Sequence, residues 1–104
     1  MEASLTTEVW AHGGEEPGSW HFATLPLEVS DEIRDVVGPR PPGFGSVPVV
    51  AMIGATSWRT SIFPESRSGC FVLPVKKAVR TAEELEAGAP CDVMVAVDVE
   101  QSLS

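Results

Sequence analysis

The feature that most constrains the fold is a pair of β-rich runs, residues 47–53 and 56–63, separated only by Gly54 and Ala55. A two-residue Gly-X connection predicts a β-hairpin and sets its register, because the residues that flank the turn must pair with each other. One face of this hairpin is apolar, and we expect it to form core: Val47, Val49, Ala51, Ile53, Trp58 and Ile62. The opposite face is half apolar, and we expect it to be partly covered: Pro48, Val50, Met52, Ser57, Arg59, Ser61 and Phe63.

Four further runs either alternate between apolar and polar residues or are rich in β-formers, which predicts four more strands. They lie near residues 5–10, 20–25, 70–75 and 93–99. A chain of 104 residues without an internal repeat or a long linker suits one domain. The sequence therefore predicts a single, mainly β domain over residues 1–104, a small β-barrel of about six strands.

Two or three short helices are predicted to cap this barrel. Ser30 is a good N-cap, and it predicts a helix of about two turns that ends at Gly38. Thr81 and Glu84 have the spacing of a capping box, which predicts two short helical turns that meet at Thr81.

The charges are unevenly distributed along a chain whose formal net charge is −8. Residues 1–39 carry eight acids and one base, residues 40–80 carry six bases and one acid, and residues 81–104 carry six acids and no base. The overall acidity argues against nucleic acids and anionic membranes as partners. The two cysteines are too few for a disulfide scaffold, and the sequence shows no signal peptide and no apolar membrane span. We therefore expect a soluble, cytoplasmic protein.

The basic middle segment supplies most of the candidate binding residues. Arg59 and Ser61 share the half-apolar hairpin face, where a guanidinium can hold a carboxylate or a phosphate with two hydrogen bonds. Lys76, Lys77 and Arg80 lie together at the start of a helical stretch and can join Arg59 in a patch that attracts anions. In the alternative interpretation, these charges are structural and are neutralised by the acidic flanking segments.

Aromatic residues add two candidate contacts, Phe44 and Trp58. Phe44 lies between two glycines, and it is either a lid over a pocket or a plug at the barrel end. We expect Trp10, Trp20 and Trp58 to pack in the core or at a barrel end. No catalytic residue, metal or cofactor is predicted, because the histidines and cysteines lack metal-ligand spacing and the paired glutamates are adjacent.

Three segments, residues 19–33, 43–64 and 69–80, together resemble a bacterial family of domains of unknown function, the family numbered nineteen-oh-five. The similarity depends on the order of GFGSV, WRTS and LPVKKAVR, and it covers nearly the whole chain. It implies a double-split β-barrel of the AbrB/MazE type, with no established activity. The YdeI/OmpD-associated segment that often accompanies the family is absent, which suggests a stand-alone member. Phe71 and Gly88-Ala89 stand where the family pattern has tyrosine and Gly-Asp, which argues against an enzyme by analogy.

Three functions remain as hypotheses. The first is a non-catalytic module that binds an anionic small molecule or an acidic peptide through the basic residues named above. The alternative is an enzyme that uses the barrel lumen for a cofactor-free cyclisation or isomerisation, with Arg59 as electrostatic stabiliser and His21 as acid or base. The third is AbrB-like DNA binding, which rests on fold analogy and is opposed by the net charge. We expect a monomer or a homodimer, because short edge strands need covering.

Overall fold

A computed structural model describes residues 1–12, 20–38, 46–65 and 67–97 and shows a closed antiparallel barrel. The described residues form six strands and two helices: β1 (Glu2–His12), β2 (Trp20–Thr24), α1 (Leu27–Val37), β3 (Val47–Ile53), β4 (Thr56–Pro64), β5 (Phe71–Pro74), α2 (Lys77–Ala82) and β6 (Pro90–Val97). The strands follow each other around the barrel in the order β1-β2-β5-β4-β3-β6. The prediction of a mainly β barrel with six strands is therefore confirmed.

The β3–β4 hairpin has the predicted register. Ile53 pairs with Thr56 next to the turn, and Val47 pairs with Ile62 at the far end. All six residues of the predicted core face are buried. The opposite face, which we call the outer hairpin face, consists of Pro48, Val50, Met52, Ser57, Arg59, Ser61 and Phe63. As expected, its apolar residues are partly covered: Val50, Met52 and Phe63 are 41 %, 38 % and 44 % exposed. Ser61 is half-buried, and Pro48, Ser57 and Arg59 are exposed.

Two long strands connect the two sides of the barrel. β1 pairs with β6 over residues 2–8 and with β2 over residues 9–12. β4 pairs with β3 over residues 56–62 and with β5 at residues 63 and 64. The barrel therefore consists of two four-stranded sheets that share β1 and β4, and the sheet β1-β6-β3-β4 carries the outer hairpin face.

Apolar side chains from all six strands and both helices fill the interior of the described structure as one cluster. Leu25, Ile33, Ile62, Leu73 and Val95 are fully buried in it. The buried polar side chain among the described residues is that of Ser30. Side chains of this kind in a barrel of about six to eight strands leave a packed core rather than a channel.

The N-cap predicted at Ser30 is wrong. α1 begins one turn earlier, at Leu27, with Pro26 as its N-cap, and Ser30 lies inside the helix with no exposed surface. The Ser30 hydroxyl accepts a hydrogen bond from the backbone N–H of Phe71 at 2.9 Å and donates one to the carbonyl of Leu25 at 3.2 Å. The serine therefore joins α1 to β5 instead of marking the start of the helix, and the helix is longer than predicted.

The capping box predicted at Thr81 is also wrong. Thr81 lies in the last turn of α2, and the following Glu84 has a positive φ of 51°, which ends the helix. Among residues 83–89 the described structure has turns and no second helix. The Glu83 carboxylate instead accepts a hydrogen bond from the Thr56 hydroxyl at 2.7 Å. This tertiary contact competes with helix formation and holds the segment after α2 against the hairpin turn.

The hairpin turn needs glycine at position 54 for two reasons. Gly54 has a φ of 60°, and a Cβ at this position would collide with the Glu83 carboxylate. We expect Gly54→Ala to lower the free energy of unfolding by about 1–2 kcal/mol, the usual cost of a left-handed backbone in an L-residue, plus the cost of displacing Glu83. Urea denaturation of Gly54→Ala, Glu83→Ala and the double variant measures both contributions. Equal costs of Gly54→Ala in the two backgrounds would contradict the proposed collision.

Candidate functional site

Arg59 is the cation of the outer hairpin face, and it is exposed. It lies in the middle of β4 and pairs across the strands with Val50, whose side chain is 41 % exposed. In the part of the chain that the structure describes, Arg59 forms no ion pair and its guanidinium donates no hydrogen bond. Ser61 is half-buried two residues further along the same face, opposite Pro48. The predicted pair therefore lies on one surface, with its polar groups open to a partner.

The three basic residues predicted around α2 separate into two groups. Lys76 and Lys77 are exposed at the start of the helix. Arg80 is half-buried: its Nε donates to the Val75 carbonyl at 3.3 Å, and its Nη1 lies 3.4 Å from Nε2 of His21. Arg80 thus connects α2 to β2 and to the short segment between β5 and α2. Among the described contacts, no hydrogen bond or ion pair joins these residues to Arg59.

Arg34 differs from Arg59 in that its guanidinium has several contacts within the fold, whereas Arg67 is exposed. Arg34 forms an ion pair with Asp31 at 2.9 Å, donates to the Gly69 carbonyl and lies 5.0 Å above the Phe71 ring. Arg67 lies near Glu65, where hydrogen bonds from Ser68 and the nearby Arg67 charge lower the pKa of the Glu65 carboxyl.

The ion pair of Arg34 is the one found within the described residues. It uses two residues from the acidic first segment of the sequence, so it neutralises none of the bases between residues 40 and 80. The alternative interpretation, in which the acidic flanks neutralise the basic segment by ion pairing, therefore finds no support at Arg59, Lys76 or Lys77.

Of the two aromatic residues predicted to contact a ligand, the structure describes Trp58 only. Trp58 points into the barrel and is 9 % exposed, so a ligand on the outer surface does not reach its ring. Phe44 lies outside the described residues.

Of the three tryptophans expected in the core or at a barrel end, Trp58 lies in the core, whereas Trp10 and Trp20 are 37 % and 66 % exposed. Both lie on the outer side of the sheet β1-β2-β5-β4, with ring centroids 5.1 Å and 6.2 Å from that of Phe22. The Trp10 indole N–H donates to the Thr24 hydroxyl at 2.8 Å. The sequence carried a signal for this exposure, because Trp10 alternates in phase with the outward Glu8 and out of phase with the buried Val9.

An open groove of about 520 Å³ adjoins the outer hairpin face at Met52. Of the predicted binding residues that the structure describes, none lines it. Its lining comes from the β1–β6 pair and from the hairpin turn: Ser4, Leu5, Thr6, Met52, Gly54, Asp92, Val93 and Met94. The Thr6 hydroxyl donates to the Asp92 carboxylate at 2.7 Å, so the one acid in the groove already has a partner.

Groups suited to catalysis are sparse in the described structure. The interior contains apolar side chains and the hydrogen-bonded Ser30 hydroxyl. Burial and the nearby Asp92 charge raise the pKa of the Cys91 thiol, which is the opposite of activation as a nucleophile. No group of three or more histidine, cysteine or acidic residues in the described ranges is arranged to hold a metal ion. No helix in those ranges is long and apolar enough to cross a membrane.

A comparison with protein-family models finds one match that covers most of the chain. The family described as Domain of unknown function (DUF1905) matches residues 6–95. This range contains the hairpin, both helices and every predicted binding residue. No curated protein matches the sequence.

Proposed function

The chain belongs to the DUF1905 family, and we propose that it is a non-catalytic binding module that holds an acidic partner on the outside of its barrel. The observation that carries the proposal is the exposed Arg59 guanidinium, which no described acid neutralises. Arg59 is the principal contact, and Ser61 is a second hydrogen-bonding group beside it. Lys76 and Lys77 contribute long-range attraction.

A carboxylate is the group that this surface suits best. A guanidinium presents a planar set of donors that matches the two oxygens of a carboxylate, and the half-apolar surroundings reduce competition from water. Val50 is the cross-strand neighbour of Arg59, and Phe63 lies further along the same face of β4 with 44 % of its surface exposed. An aliphatic stem that ends in a carboxylate, such as a glutamate side chain, fits this combination.

The shape of the surface favours a protein segment over a small anion. Small-molecule sites are concave and enclose most of the ligand, whereas Arg59 lies on the outer surface of a barrel strand. The apolar interior argues against the alternative of a catalytic lumen, because no described residue offers a charged group to a substrate there. DNA binding remains opposed by the net charge of −8.

A titration with a hexaglutamate peptide, followed by amide and Arg side-chain NMR signals, tests the proposal. We expect saturable shifts that centre on β4. Arg59→Ala is expected to weaken the peptide about 5- to 10-fold, the effect of losing a contact of about 1–1.4 kcal/mol. Arg67→Ala is the matched control, since it also removes one exposed cation, and we expect it to change the affinity by less than about twofold.

A lysine double variant and two other ligands show which class of anion the surface binds. Lys76→Ala/Lys77→Ala is expected to reduce the salt dependence of peptide binding while leaving the shifts at β4 in place, because exposed charges outside a contact act mainly at long range. Shifts with glutarate but not with the peptide would assign the site to a small anion. Shifts with a thymidine octanucleotide alone would restore the nucleic-acid hypothesis. Equal peptide affinities of Arg59→Ala and Arg67→Ala would overturn the proposal.

A further inference from the structure

The outer surface of the sheet β1-β6-β3-β4 has an order of residues that ordinary alternation does not explain. Strand pairing places Glu2, Ala96, Val50 and Arg59 side by side in one row across the four strands. The neighbouring row, two residues further along each strand, consists of Ser4, Met94, Met52 and Ser57. The residues between these two rows point inward, as the buried Val95 and Ala51 show.

If either row is placed against a second copy of itself in the opposite order, complementary residues face each other. The first row has an acid at one end, a base at the other and two apolar residues between them. The second row reads serine, methionine, methionine, serine. Val50 and Met52 are 41 % and 38 % exposed, so the other described residues leave an apolar strip partly open at the centre of the surface. We call the eight residues of the two rows the palindromic surface.

The two ends of the first row do not neutralise each other within one chain. β1 and β4 are separated by three strand spacings, which places the Cα atoms of Glu2 and Arg59 roughly 14 Å apart. In the described structure both side chains are exposed and neither forms an ion pair. Opposite charges at the two edges of an apolar strip therefore remain open for contacts with another molecule.

We infer that the acidic partner is a second copy of this chain, docked face to face on the palindromic surface; this inference rests on the proposed function of Arg59. A two-fold axis parallel to the strands, between β3 and β6, places β1 of one copy over β4 of the other and β6 over β3. Glu2 then faces Arg59 of the second copy, twice in the dimer. Ser4 faces Ser57, and Met94 faces Met52, so the apolar strips cover each other.

A two-fold interface requires a surface that is complementary to itself, which most surfaces are not. An unrelated acidic segment would pair with Arg59, but it would leave Glu2 without a partner. Where such a segment reached β1, its own carboxylates would be repelled by Glu2. A second copy satisfies both charges and both serines at once. The symmetry of the two rows therefore favours self-association over an unrelated partner.

The size of the surface sets the expected strength. Four strands at ~4.8 Å spacing and two to three rows of side chains cover an area of roughly 20 by 20 Å on each copy. The dimer would bury about 800 Å² in total, which is below the range of stable complexes and typical of weak ones. We therefore expect a reversible dimer with a dissociation constant on the order of 0.1 mM.

Sedimentation equilibrium between about 10 µM and 1 mM tests the inference through charge reversal. The weight-average mass of the wild type is expected to rise from the 11.1 kDa of one chain towards twice that value. Arg59→Glu and Glu2→Arg each place like charges opposite each other and are expected to weaken the dimer at least about tenfold. The double variant Glu2→Arg/Arg59→Glu restores both pairs and is expected to recover the wild-type mass.

Three further variants keep the outcome unambiguous. Met52→Glu places a carboxylate in the apolar strip and is expected to abolish the dimer, and because Met52 is already exposed the fold tolerates it. Arg67→Glu and Glu86→Arg are matched controls outside the surface, and both are expected to dimerise like the wild type.

A wild type that stays monomeric at 1 mM, or a double variant that fails to recover the wild-type mass, overturns the inference. If the wild type stays monomeric while hexaglutamate binds at Arg59, only the second copy is rejected. If the wild type dimerises but hexaglutamate does not bind, the dimer stands and binding of other acidic partners is rejected.

Discussion

Replacement of Trp58 by alanine is expected to lower the free energy of unfolding by about 3–5 kcal/mol, the largest effect of any substitution considered for this chain. The Trp58 ring is 9 % exposed and belongs to the continuous core inside the barrel, so its removal leaves a cavity that the surrounding strands cannot fill. A loss of this size is a large part of the total stability of a small domain. Guanidinium denaturation followed by circular dichroism measures it.

Trp20→Ala is the matched control for Trp58→Ala. It removes the same side chain, but the Trp20 ring is 66 % exposed and contacts Phe22 on the outer surface. We expect a loss of about 1 kcal/mol or less, from one aromatic contact and little burial. Equal losses at the two positions would contradict the assignment of Trp58 to the core and would reopen its predicted role as a ligand contact.

Ser30→Ala is expected to cost about 2 kcal/mol although it removes a single oxygen atom. The substitution deprives the buried backbone N–H of Phe71 of its acceptor and the carbonyl of Leu25 of a donor, and a buried polar group without a partner costs about 1–3 kcal/mol. Alanine has a better helix propensity than serine, so the local preference of α1 works in the opposite direction. Thermal and chemical denaturation should agree if unfolding is two-state.

Ser61→Ala provides the comparison for the Ser30 substitution. Ser61 is half-buried on the outer hairpin face, and no described hydrogen bond depends on its hydroxyl. We expect a change within about 0.5 kcal/mol. A destabilisation by Ser30→Ala no larger than that of Ser61→Ala would show that the bond between α1 and β5 contributes nothing to stability.

Local pattern was sufficient to predict the hairpin, because a two-residue turn leaves only one register. It also placed Arg59 and Ser61 on a common outward face, which depends on the same alternation. For Trp10 the phase of its strand is a better guide than its size: large aromatic residues usually pack in a core, but Trp10 is 37 % exposed. Its alternation with Val9 predicts an outward side chain.

Other features depend on residues that are distant in the sequence. Ser30 looks like an N-cap because its true partner, the N–H of Phe71, is 41 residues away. The local sequence predicts that Glu83 belongs to a short helix, because a local pattern carries no information on its contact with Thr56, 27 residues away. The row that joins Glu2 to Arg59 requires three strand pairings in series, and the sequence alone specifies only the hairpin pairing.

The pairing of β1 with β6 has a consequence for the order in which the barrel assembles. The hairpin closes a loop of two residues, whereas this pairing joins Glu2 to Ala96 and closes a loop of more than ninety. Loop-closure entropy makes the longer closure costlier by about 3 kcal/mol, so we expect the seam between β1 and β6 to form after the hairpin. Glu2 lies on one side of this seam and Arg59 on the other. A second copy that holds both residues would therefore stabilise the pairing that closes the longest loop of the chain.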